Sequence, residues 1–161
     1  MYNYYRRFPT SNQVFDPRYP QSRQQRSPQF MDYGPNPFVV NIEEVTEQNE
    51  FFRTTLWTGS HMQLTLMSIP VGEEIGLELH PEVDQFIRIE EGEGLVKMGD
   101  RKDRLDFISK VYDDFAIIIP AGKWHNLINT GYKPLKLYSI YAPPQHPFGT
   151  IHKKKADATE E

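Results

Sequence analysis

The chain has 161 residues, a hydrophobic share of 38%, an aromatic share of 13% and a formal net charge of -4, enough for one β-rich core with room for an arm or tail. It contains no cysteine, which excludes disulfides, thiolate zinc sites and cysteine nucleophiles and leaves His, carboxylate and amide groups to hold any metal. The mild acidity gives no global attraction to nucleic acid, and no apolar run suits a signal or a membrane span, so the expectation is a cytoplasmic protein with no nucleic-acid and no membrane partner.

Residues 1–37 read as an irregular Tyr/Pro/Gln/Arg-rich arm, as in Tyr4-Tyr5-Arg6-Arg7 and Ser22-Arg23-Gln24-Gln25-Arg26. Such a stretch buries too little surface to offset its ordering entropy. Its rings and planar cations also suit docking on a neighbouring subunit, with Glu43, Glu44, Glu47 and Glu50 as an acidic receiving face. In composition the arm is similar to those of bacterial spore-coat and other self-assembling surface proteins, which adds a spore-associated location to the expectations.

From Phe38 the pattern changes to short β-type runs separated by turn residues, the signature of an all-β sandwich or barrel over residues 38–151. Strands are predicted near Phe38–Ile42, Phe51–Trp57, Gln63–Ile69, Gly76–His80, Gln85–Glu90, Gly94–Met98, Phe107–Val111, Phe115–Ile119, His125–Asn129 and Leu135–Tyr141, with a helical turn near Val45–Asn49. Turns such as Pro70-Val71-Gly72, Gly99-Asp100 and Pro120-Ala121-Gly122 punctuate them. Residues 152–161 form a charged C-terminal tail, expected to fray. The open edge of such a sheet, near Phe38–Ile42 and Phe51-Phe52, predicts a homo-oligomer, a dimer or larger.

Chemistry concentrates in three segments. In Gly76-Leu77-Glu78-Leu79-His80 the alternation of a strand points Glu78 and His80 to one face, with Cβ atoms about 7 Å apart. After the turn Pro81–Asp84, Gln85 opens the next strand, with Ile87 and Ile89 on its own face. A rigid Pro/Gly turn then delivers His125 into a third strand. Other candidates for the pocket are His61 and Gln63, which share parity, together with Ile87, Trp124, Tyr138 and His146, the last in a loop able to fold over the mouth.

These segments resemble the two conserved boxes of the cupin superfamily. The first box carries a His-x-His pair, a Glu and a closing Gly; here Glu78 stands at the first His, His80 at the second, Gln85 at the Glu and Gly92 at the Gly. The second box, Pro-x-Gly-x-x-His-x-x-x-Asn, is matched by Pro120, Gly122, His125 and Asn129, with Asp114 where an opening Gly is usual. The resemblance spans roughly residues 50–143 and implies a double-stranded antiparallel β-barrel, the cupin or jelly-roll fold. It also implies one divalent metal ion held by Glu78, His80, Gln85 and His125, a donor set that suits Zn, Mn, Fe or Ni. In ligand types, with Glu and Gln exchanged, the set is similar to the zinc site of the mannose-6-phosphate isomerase cupins. The leading expectation is a metal-dependent enzyme of isomerase or epimerase type on a small, polar, sugar-like substrate, with Glu78 as its proton-transfer residue. The rivals are a coat-type protein using the barrel as a rigid block, a non-haem metal dioxygenase, and a metal-free barrel in which Gln85 only forms hydrogen bonds.

Overall fold

In the computed structural model, residues 30–159 are described, so residues 1–29 of the arm expected over residues 1–37 lie outside them. Among the described residues, helix α1 (Ile42–Gln48) precedes strands β1 (Arg53–Thr58), β2 (Gln63–Ile69), β3 (Asp84–Glu91), β4 (Gly94–Gly99), β5 (Phe107–Val111), β6 (Ala116–Ile119), β7 (Trp124–Asn129), β8 (Leu135–Ala142) and β9 (Ile151–His152). A short 3-10 helix, Lys155–Thr159, follows. The strands form two antiparallel sheets, ordered β6-β3-β8-β2-β1-β9 and β5-β4-β7. They face each other as a jelly-roll sandwich without joining into one closed ladder, which is the all-β architecture expected from the sequence.

Alternation along each strand sorts the side chains. Met67 and Ile69 of β2, Ile87 and Ile89 of β3, and Leu135 and Leu137 of β8 fill the space between the sheets. Leu64, Leu66 and Tyr138, at the other parity, join Val45 of α1 and Leu56 on the outer face. Each fully buried aliphatic side chain contributes about 1.5–3 kcal/mol, and a one-residue slip would exchange the two faces, so the register is strongly specified.

Besides Gly76–His80, described with the site below, three segments differ from the sequence expectation. Phe38–Ile42 forms no strand; Phe38 stacks on Tyr33 with ring centroids 4.5 Å apart, and Asn41 caps α1 by accepting the Glu44 N–H. Residues 30–37, grouped by composition with the arm, pack on the sheet through Phe30 and Tyr33. Asp32 fastens them, accepting hydrogen bonds from the Gly34, Thr58 and Gly149 N–H groups and the Thr58 hydroxyl. At residues 152–161, where fraying was expected, His152 of β9 pairs with Arg53 of β1 and Ala158 packs against the core. In both end segments a few anchors hold a polar chain, and so sparse a pattern carries no period to read.

Candidate metal centre

The segment predicted as a strand over Gly76–His80 has no continuous ladder, yet it is fastened to β7 at two bridges, Glu74 with Ile128 and Glu78 with His125. Glu78 and His125 exchange both backbone hydrogen bonds, at 2.9 and 3.0 Å, which sets their side chains next to one another on one face. Asn126 braces the same region, accepting the Gly76 N–H and donating to Glu74. The turn before β7 needs Gly122, whose φ of 80° is left-handed; its N–H donates to the His80 carbonyl. A single turn thus ties His80 to the strand that carries His125.

The side chains converge as a result. His80 Nε2 lies 3.3 Å and His125 Nε2 3.6 Å from the same atom, Glu78 Oε2. The three donor atoms lie within 4.8 Å of one another, a group able to hold one ion. Ligands that each sit about 2.1 Å from an ion stand roughly 3.0–3.4 Å apart in octahedral or tetrahedral geometry, so only small adjustments separate these atoms from a coordination sphere. The tautomer of His125 points the same way. Its Nδ1 is 2.9 Å from the Lys123 carbonyl, an oxygen that can only accept, so Nδ1 carries the hydrogen and neutral His125 presents a bare Nε2 lone pair to a carboxylate. Two lone pairs so placed call for a cation between them.

Buried polar atoms elsewhere in proteins are hydrogen-bonded. Here Glu78 Oε2, His80 Nε2, His125 Nε2 and Gln85 Oε1 are all buried without a hydrogen-bond partner. Gln85 faces inward at the mouth end of β3, and its Nε2 donates to Ser139 Oγ, which leaves the amide oxygen free. The donor chemistry, two imidazoles, one carboxylate and one amide oxygen, fits a borderline divalent ion. Burial opposes ionisation of Glu78, but the His125 and His80 rings beside it and the charge of Arg53 outweigh it and hold the carboxyl well below the usual range.

Around this group the mouth of the sandwich forms a cavity of about 470 Å³, lined in part by Arg53, Leu79, Gln145, His146 and Lys155. Gln63, buried, clamps the loop over it: Oε1 accepts the N–H groups of Gln145 and His146, and Nε2 donates to the His146 carbonyl. Burial and the nearby Arg53 charge push His146 down to about 3 from 6.5, despite the opposing Glu78, and its Nε2 is a further buried atom without a partner. Tyr141, fully buried, sets its ring edge-on to both His80 and His146. Ile87 sits deeper, in the core between the sheets.

Three candidates stand elsewhere. Tyr138 is at the outward parity of β8 and lines the outer groove; Tyr141 is the inward tyrosine of that strand. Trp124 alternates with His125 and so faces away from the mouth, with Lys102 over its ring at 5.7 Å. His61 is exposed in the turn between β1 and β2. Sequence reasoning missed Arg53, which is 3% exposed and reaches Glu78 Oε1 at 3.5 Å. The available signal was an arginine opening a strand of otherwise uncharged residues, next to Phe51-Phe52.

Comparison with known proteins agrees with this architecture. A family model described as a cupin domain matches residues 65–141, and Bacillus subtilis YrkC is 66% identical over 85% of this chain and 74% of its own. The chain belongs to the cupin family. A mimivirus protein from Acanthamoeba polyphaga mimivirus is 43% identical, covering 71% of this cupin and 70% of its own length. Among solved structures, BH2720 from Bacillus halodurans superposes with a TM-score of 0.81 at 65% identity, over 81% of this chain and 99% of that one. KdgF from Halomonas sp., at 11% identity and a TM-score of 0.54 over 69% of this chain and 96% of its own, shares the fold. The second cupin box has a structural reading as well. Asn129 bonds the Ile69 and Lys133 carbonyls and the Gly131 N–H, and Asp114 adopts a φ of 70°, the conformation in which glycine is at ease and Asp is tolerated.

Proposed function

We propose that this cupin binds one divalent ion through Glu78, His80 and His125, with Gln85 Oε1 as the fourth donor, and works as a metal-dependent enzyme of isomerase or epimerase type on a small polar substrate. The observation that carries the reading is the convergence of three buried, unpartnered ligand atoms, those of Glu78, His80 and His125, beside the equally unpartnered amide oxygen of the inward-facing Gln85. An ion there supplies Lewis acidity toward a carbonyl or hydroxyl oxygen. The protein's own groups supply the rest. Glu78, held ionised by its neighbours, is a weak base and serves as ligand rather than proton carrier. His146, whose buried Nε2 has no partner and which lines the same mouth, is the remaining group placed to carry a proton. Tyr141 holds the rings of His80 and His146 in place, and Gln63 fastens the covering loop to β2.

The test is metal analysis of protein supplied in turn with Zn, Mn, Fe, Co and Ni, followed by turnover assays on hydroxy-aldehydes and hydroxy-ketones. Stoichiometric uptake of one of these ions, with turnover lost in His146→Gln, is the expected result. Protein that takes up none of the five overturns the reading, and oxygen consumption by the iron form would favour the dioxygenase.

A second reading, homo-oligomerisation, is favoured by the sheet edges at β5 and β6. Phe107, Ile108 and Ile118 there are each more than half exposed, and an edge strand's free backbone groups invite pairing with another copy. A monomer by light scattering at tens of micromolar, roughly the range of weak association, would remove it.

A further inference from the structure

We infer that the mouth takes an anionic ligand, a small hydroxycarboxylate, anchored by Arg53; the inference rests on the metal reading above. Arg53 opens β1 and is 3% exposed. Its Nη2 lies 3.5 Å from Glu78 Oε1 and its Nη1 3.3 Å from His152 Nδ1, while its Nε is buried with no hydrogen-bond partner. Without an ion, Arg53 and Glu78 neutralise each other. With one, Glu78 serves two masters, since its Oε2 faces both histidines and its Oε1 faces Arg53. The two charges of a divalent ion plus that of Arg53 then exceed the single charge of Glu78 by two. At the rim, Lys155 and Glu74, 3.9 Å apart, offset one another and leave that excess in place. A positive excess beside so buried a guanidinium is costly unless an anion joins it.

The shape of the site narrows the class of anion. A guanidinium presents a planar fork that matches a carboxylate with two parallel hydrogen bonds, and the unused Nε is one of its donors. The single carboxylate of Glu78 already spans the interval between Arg53 and the histidines. A ligand of a few carbons can therefore set its carboxylate on Arg53 and a neighbouring hydroxyl oxygen at the ion, in a cavity of about 470 Å³. Unlike the metal ligands, Arg53 thereby acts in selecting what binds.

The experiment is calorimetric titration of Mn-loaded, full-length protein with glycolate, ethylene glycol and inorganic phosphate, with metal content measured before and after. Glycolate should bind, the neutral diol should not, and removing the metal should weaken glycolate. Arg53→Gln should weaken glycolate by about tenfold or more, the loss expected for hydrogen bonds to a charged group, and Arg53→Lys should fall between. Equal glycolate affinity in both variants at unchanged metal content overturns the inference and leaves the metal reading standing. Ethylene glycol binding as tightly as glycolate overturns it as well, using wild-type protein alone. Phosphate binding more tightly than glycolate overturns the carboxylate class. Wild-type protein that takes up no Mn under any loading condition overturns the metal reading and this inference together.

Discussion

The six-stranded sheet has a hollow on each face, and the two are nearly opposite in character. The outer groove, about 560 Å³, is lined by Phe38, Val40, Leu64, Tyr138 and other apolar side chains. The mouth between the sheets is smaller, at about 470 Å³, and gathers a carboxylate, histidines and an arginine. One strand builds both: β8 sends Tyr138 and Ile140 to the groove and Ser139 and Tyr141 toward the mouth. The larger hollow is ordinary packing surface, whereas the smaller holds polar atoms that have nothing to bond. Unsatisfied polarity, more than size, marks the place where a ligand belongs.

The comparison predicts that the two faces can be broken separately. The largest effect belongs to the mouth: His80→Ala with His125→Ala should abolish stoichiometric divalent metal and the rise in melting temperature that the metal gives, as read by metal analysis and thermal unfolding. Leu66→Ala, a fully buried residue of the outer cluster, should cost about 2–5 kcal/mol in urea unfolding while leaving metal stoichiometry at the wild-type value. If it also strips the metal, the two faces are coupled and the comparison fails.

A smaller effect is expected at the seam. Gln63→Ala removes hydrogen bonds to the Thr58 hydroxyl and to the backbone of residues 145 and 146. It should cost about 1–3 kcal/mol and increase amide exchange at His146, with the ion still bound.

The last effect is a pH slope. His146, pushed down to about 3 when folded, takes up its proton near 6.5 in the unfolded chain. The unfolded state therefore binds more protons across that window, and stability falls as the pH drops from 6.5 toward 3. With chelator present, His146→Gln should flatten the dependence of melting temperature on pH between 6.5 and 4 relative to wild type. An unchanged slope would place His146 in water, away from the mouth.

Much of this was legible from the amino-acid order alone. Period-2 alternation located β2, β3, β4 and β8 within about two residues, and it predicted that Glu78 and His80 would share a face. The Pro120–Gly122 turn announced His125. Alternation gives parity along a strand, but which parity faces the mouth depends on the partner sheet. For that reason Tyr138 and Tyr141 could not be told apart, whereas Trp124, adjacent to His125 on one strand, is turned away from the site by the alternation itself.

What the sequence by itself determined is the local chemistry: which residues can ligate, their spacing, and the turns that deliver them. What only the tertiary structure decided is long-range. Arg53 meets Glu78 across 25 positions and His152 across 99, and Asp32 reaches Gly149 across 117. Such contacts are set by the antiparallel register and by the stacking of two sheets, and they leave no period in the chain. Local alternation is written residue by residue, whereas the charge that sits beside the metal ligands is chosen by which strands the folded core brings together.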